Sequence, residues 1–141
     1  MQFNAVLPEL FVRDMAASLR FYVELLGFRS EYSREEGRFQ FLSYEKAQLM
    51  LFQERDTAAE VPADWITGAL QYPRGRGMNL QIEVSSLEPL LRALEREPYA
   101  SYAPPTERVR DVGGKSIHET EFLVQDPDGY LLRFSSARDP L

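Results

Sequence analysis

Few residues of this chain are equipped for chemistry, and they gather in its second half: Asn79, Gln81, Glu83, His118, Glu119, Glu121 and Arg133. An arginine pointing inward from a central strand must be paired or must bind something, because its charge is fixed and it carries five N–H donors. Arg133 can pair with Glu83 or Glu9, or clamp a carboxylate or phosphate of a ligand. Asn79 reads as a satisfied hydrogen-bonder or a ligand contact. His118 is the only histidine of the chain and the one side chain that titrates near neutrality in its ordinary state. It reads as a structural or stacking contact rather than a general base. A lone histidine cannot furnish a triad of two histidines and one carboxylate, and a two-fold dimer still supplies one per site. His118, Glu119 and Glu121 do not converge on an ion either, because alternation sets both glutamates opposite the histidine. Cysteine is absent, which removes thiolate metal sites and disulfides and fits a reducing cytoplasm. No Ser/His/Asp set, P-loop or dinucleotide fingerprint is present.

The elements that must position these residues repeat. A first strand is predicted at Ala5–Val12, with Leu7, Glu9 and Phe11 on one face and Leu10 and Val12 on the other. Asp14 caps a helix predicted from Met15 to Leu26, with Met15, Leu19, Tyr22, Val23 and Leu26 as its apolar stripe and Gly27 as its stop. Strands follow at Arg29–Ser33, Arg38–Tyr44 and Gln48–Gln53, separated by turns at Glu35–Gly37 and Glu45-Lys46. Residues 54–76 break the pattern and read as a linker or a binding flap carrying Trp65 and Tyr72. The pattern then restarts with a strand at Met78–Val84, a helix at Leu87–Glu97 capped by Ser85 or Ser86, and strands near Ser101–Ala103, His118–Gln125 and Tyr130–Ser135. Leu7–Tyr22 lies on Asn79–Leu94 without a gap, a weak internal repeat of 72 residues.

Two motifs bracket this repeat. One is Val12-Arg13-Asp14 with Ser18-Leu19-Arg20-Phe21-Tyr22 and Leu25-Leu26-Gly27-Phe28. The other is the turn Asp126-Pro127-Asp128-Gly129 running into Tyr130–Phe134. Together they resemble the vicinal oxygen chelate superfamily of glyoxalases, extradiol dioxygenases and bleomycin resistance proteins. The resemblance implies an α+β fold in which two βαβββ modules, about 4–53 and 77–137, form a curled mixed sheet around a cleft. It also implies where the metal ligands of the family belong: at Leu7, about Met50, Asn79 and Arg133. The family's usual His and Glu are missing from all four, and aliphatic, thioether, amide and guanidinium groups suit no hard divalent ion.

The resemblance therefore points to the metal-free, bleomycin resistance-like branch: cofactor-free homodimers that sequester a drug and run no reaction. Pro8 stands where those proteins carry a proline that helps the first strand cross to a partner subunit; it equally suits a strand entry. Drug-binding members place a Trp-Gly pair where this chain has His118-Glu119, so another planar or cationic molecule is expected as readily as bleomycin. The implied ligand-facing set is Leu7, Glu9, Phe11, Phe39, Phe41, Met50, Phe52, Trp65, Asn79, Gln81, Glu83, His118 and Arg133, with Leu131 and Tyr72 nearby. The alternatives are a metal-dependent lyase, isomerase or dioxygenase, and an interaction module whose cleft is filled by its own side chains.

The 141 residues suit one domain or two small fused modules. A formal net charge of -6 disfavours a nucleic-acid partner and mildly favours cationic or neutral small molecules. No apolar run approaches the roughly 20 residues of a membrane helix, and no signal peptide is expected.

Overall fold

The computed structural model describes residues 1–55, 65–97 and 102–138. The chain divides into two compact units, Met1–Arg74 and Gly75–Leu141, and each repeats the strand-helix-strand-strand-strand order. Among the described residues no helix is long and apolar enough to cross a membrane.

In the first unit β1 (Glu9–Val12) leads into α1 (Met15–Leu19), followed by β2 (Arg29–Arg34), β3 (Phe39–Tyr44) and β4 (Ala47–Gln53). The sheet order is β1-β4-β3-β2, with β1 parallel to β4 and the other pairs antiparallel. Asp14 caps α1 as its sequence position implies, Oδ1 accepting from the Ala16 N–H at 3.0 Å. The predicted helix is present but not uniform: Arg20–Leu25 widens into a π-helical turn. That turn turns both Phe21 and Tyr22 inward, edge to face at 4.9 Å. The Phe28 N–H closes the end on the Tyr22 carbonyl at 2.8 Å. On the helix-side face of the sheet, Leu10, Val12, Leu42, Leu49 and Leu51 are buried.

The second unit holds β5 (Asn79–Glu83), α2 (Glu88–Arg96), β6 (Tyr102–Val112), β7 (Lys115–Gln125) and β8 (Leu131–Arg138), in the order β5-β8-β7-β6. Here β5 runs parallel to β8, so the topology of the first unit recurs. Its buried set includes Ile82, Leu90, Ala93, Leu94, Phe122, Val124, Tyr130, Leu132 and Phe134, with the Phe122 and Phe134 rings stacked at 5.3 Å. The Asp126 turn forms as expected: Oδ1 accepts from the N–H groups of Asp128 and Tyr130, both at 2.9 Å.

One strand departs from expectation. A short strand was predicted at Ser101–Ala103; Ser101 lies outside the described residues, and β6 continues from Tyr102 to Val112. Pro104-Pro105 reads as a break in the sequence, yet β6 is an edge strand where missing N–H donors cost no ladder bond. The register shifts between Ala103 and Thr106, which absorbs the prolines. Gly113 and Gly114, both at positive φ, then make the two-residue turn into β7.

Gly75 opens the second unit at φ +72°, and a Cβ built there would lie 2.8 Å from Tyr130 Cδ1. Gly77 has φ +86° but open space around it. Gly77→Ala is therefore expected to cost only left-handed strain, about 1–2 kcal/mol. Gly75→Ala adds a clash with a buried ring, for about 2–3 kcal/mol in all. Urea denaturation of the two variants side by side isolates the clash; equal losses would show that Tyr130 does not hold that loop.

Candidate functional site

The 72-residue repeat says which positions of the two sheets correspond in sequence. Glu9 corresponds to Gln81; Glu9 pairs with Met50, and Gln81 pairs with Arg133. Met50 and Arg133 thus occupy equivalent places, each on the strand parallel to its unit's first strand.

In the first unit the face bearing Met50 is aromatic. Phe11 and Phe52 are partners across β1 and β4, and Phe39 and Phe41 pair with Phe52 and Met50 across β3 and β4. These four phenylalanines are buried, and Leu7, Tyr32, Met50, Ile66 and Leu70 pack on them. Tyr32 stacks on Phe41 at 5.1 Å, Phe3 meets Phe41 edge-on at 5.4 Å, and the Arg34 guanidinium lies 4.0 Å over Phe39. Glu9 is half-buried beside this cluster; burial pushes its pKa up, partly offset by Arg34.

Ile66 and Leu70 belong to the 65–74 segment, which therefore straps the aromatic face. Arg74 anchors the end of the strap. Its side chain is only 6% exposed; Nη1 donates to the Phe11 carbonyl at 2.8 Å and Nη2 pairs with Glu54 Oε1 at 2.8 Å. Trp65, expected as a flap or a buried anchor, is 59% exposed, so the anchors are its neighbour Ile66 and Leu70. Tyr72 is likewise exposed. The sequence signal for this was available: Ile66, Leu70 and Arg74 recur every four residues.

The second unit presents a polar face. Asn79, Gln81 and Glu83 on β5 are exposed, with Leu131 and Arg133 beside Asn79 and Gln81 on β8. Within its own unit Arg133 pairs with Glu121 rather than Glu83. Its Nη2 donates to Gln81 Oε1 at 2.9 Å, and Nη1 stands 3.8 Å from Glu121 Oε2. Glu121 is 3% exposed and is held more closely by Arg108 Nε at 2.6 Å, with Arg110 Nη2 at 3.6 Å. Arg110 Nε in turn lies 2.9 Å from Glu119. Sequence reasoning missed Arg108 and Arg110 because β6 was expected to stop before them.

His118 falls on the other face of this sheet. It is exposed, opposite Val109 and Arg138, while Glu119, Glu121 and Arg133 share the polar face. Within this unit His118 and Arg133 do not meet one ligand surface.

The residues at the expected ligand positions do not fit a divalent cation. Leu7 and Met50 are spent on apolar packing, and neither offers a hard donor. Asn79 offers one amide oxygen, and Arg133 brings a positive charge. Among the described residues no three His, Cys, Asp or Glu side chains stand together as a metal set.

Solved structures share this fold. A virulence protein from Salmonella typhimurium is 20% identical, with 96% of this chain and 98% of that chain covered at a TM-score of 0.62. A glyoxalase/bleomycin resistance protein/dioxygenase from Alicyclobacillus acidocaldarius is 20% identical, with 96% and 92% covered at 0.62. A bleomycin resistance determinant encoded on the transposon Tn5 is 21% identical, with 95% and 98% covered at 0.57. No curated protein matches the chain. The family model of the Glyoxalase/Bleomycin resistance protein/Dioxygenase superfamily matches residues 2–134. With that match spanning nearly the whole chain, and the duplicated βαβββ units in place, the protein belongs to the glyoxalase/bleomycin resistance protein/dioxygenase superfamily.

Proposed function

We propose that this protein is a metal-independent small-molecule binder of the bleomycin resistance type, which sequesters a planar ligand without transforming it. The observation that carries this reading is the pair of equivalent register positions filled by Met50 and Arg133. A thioether packed in an aromatic cluster and a fixed cation are the wrong chemistry for a Lewis-acid site. Enolate or dioxygen chemistry then has no electrophile from this chain. The exposed amides and the arginine of the second sheet are the kind of convergent polar groups that orient a bound molecule.

Protein purified without chelator is expected to carry no stoichiometric iron, zinc, nickel or manganese by plasma mass spectrometry. EDTA is expected to leave its melting temperature unchanged, while bleomycin or another planar cation raises it by mass action. One ion per chain whose removal lowers the melting temperature would overturn this reading. The working form is a homodimer in the cytoplasm, with Pro8 at the point where β1 could cross to a partner; light scattering should return twice the chain mass.

One observation favours a second reading, an interaction module with a closed cleft: Ile66 and Leu70 already fill the aromatic face of the first unit. Failure of every ligand to bind, with the aromatic face still strapped, would favour it.

A further inference from the structure

We propose that the polar face of the second unit recognises an oxyanion of the ligand, a carboxylate above all, with Arg133 as its principal contact. This rests on the reading of the protein as a small-molecule binder and names the chemistry of what it holds.

The inference starts from an unmet demand. Arg133 Nε is buried and has no hydrogen-bond partner, and a sealed N–H without an acceptor is costly. Nε and Nη2 together form one edge of the guanidinium, the fork that matches two carboxylate oxygens. On that edge Nη2 has only the neutral Gln81 Oε1, at 2.9 Å, and Nε has nothing. Gln81 is exposed, and its own amide N–H reaches Ser135 Oγ at 3.2 Å, a long bond. Its amide oxygen therefore stands where one oxygen of an anion could stand, and it can swing aside at little cost.

The nearby carboxylate is committed through one oxygen: Glu121 Oε1 faces Arg108, while its Oε2, like Glu119 Oε2, is buried without a hydrogen bond. Arg108 holds Glu121 at 2.6 Å, whereas Arg133 stands 3.8 Å away. Glu119 is matched by Arg110 at 2.9 Å. Three arginines thus share two glutamates, and Arg133 has the longest of these contacts, which leaves one positive charge in excess on this face. Glu83 shares the face but is exposed beside Ser135 and makes no ion pair with Arg133, so solvent screens it. Asn79 and Leu131 flank the arginine on the other side. They offer an amide donor for the second oxygen and an apolar surface for the body of an organic acid.

The test uses three probes with one ring system: 2-naphthoate, 2-naphthamide and 2-naphthylmethylammonium. Titration calorimetry on the wild-type chain should rank naphthoate at least about tenfold tighter than the other two. Arg133→Met should erase that preference, so that naphthoate and naphthamide bind alike. Arg133→Lys, which keeps the charge and the fold but loses the fork, should retain only part of it. The Arg133 Nε–H resonance, assigned by its loss in Arg133→Lys, should shift with naphthoate and not with naphthamide. If all three probes bind alike in wild type and in Arg133→Met, the oxyanion inference falls and the binding function stands. If none of the three binds, the oxyanion inference falls, and the melting-temperature screen with bleomycin decides the binding reading separately.

Discussion

Replacing Phe41 by alanine is expected to cost the first unit about 3–5 kcal/mol, the usual range for emptying a buried phenylalanine site. Phe41 is fully buried and stands at the centre of the aromatic face, opposite Met50 and stacked on Tyr32. The rings of Phe3 and Tyr32 approach it from two sides, and neither can fill the void without leaving its own contacts. The loss should appear in urea denaturation as a lower midpoint at an unchanged slope. A loss below about 1 kcal/mol would mean that the cluster under the strap is loosely packed, and that the face is a cavity waiting for an occupant. Leu10 or Val12 substitutions on the opposite face would not separate those cases.

Arg74→Met is expected to be the second largest effect, at about 2–3 kcal/mol. Breaking a buried ion pair by removing one partner costs about 3–5 kcal/mol. Glu54, however, is 23% exposed, so water recovers part of that loss. The Phe11 carbonyl also loses its donor. The expected signature is local: hydrogen exchange at residues 65–74 accelerates, while the amides of β7 and β8 keep their protection. Trp65 is the only tryptophan, so its fluorescence reports on the strap alone. If the aromatic face serves ligands, naphthamide should bind Arg74→Met more tightly than wild type, because the cost of displacing Ile66 and Leu70 has already been met. Faster exchange without any gain in binding would mark the face as simple core. Unchanged exchange would show that the Arg74 contacts do not hold the strap.

The parts of the fold that were legible in the sequence are those decided locally. Asp14 announces its helix because a carboxylate before an apolar period satisfies free N–H groups there. The Asp126 turn is written by its own four residues. The duplication shows because both first strands and both helices keep their stripes in step. What was not legible depends on partners distant in sequence. Within its unit Arg133 was matched to Glu83; its neighbour there, Glu121, follows from the β7–β8 register, which no local pattern sets. Arg108 and Arg110 were hidden behind Pro104-Pro105, because a double proline argues against a strand unless the strand is known to be an edge. The π turn at Arg20–Leu25 leaves no mark in a stripe with spacings of three and four. The placement of Ile66 and Leu70 was obscured by a segment whose glycines and prolines read as loop. Its two conspicuous aromatics, Trp65 and Tyr72, face solvent while its aliphatic residues do the packing.

The long outer strand β6 carries its own safeguard. An eleven-residue rim with open N–H and C=O groups invites a second rim to zip onto it and start a fibre. Two copies of β6 laid antiparallel about Val109 would set Arg108 against Arg110 and Glu107 against Asp111, like sign facing like sign. At the other end Pro104 and Pro105 withhold the donors that such a zipper needs. In that register the rim resists its own twin, and the prolines shorten the stretch along which any other register could pair.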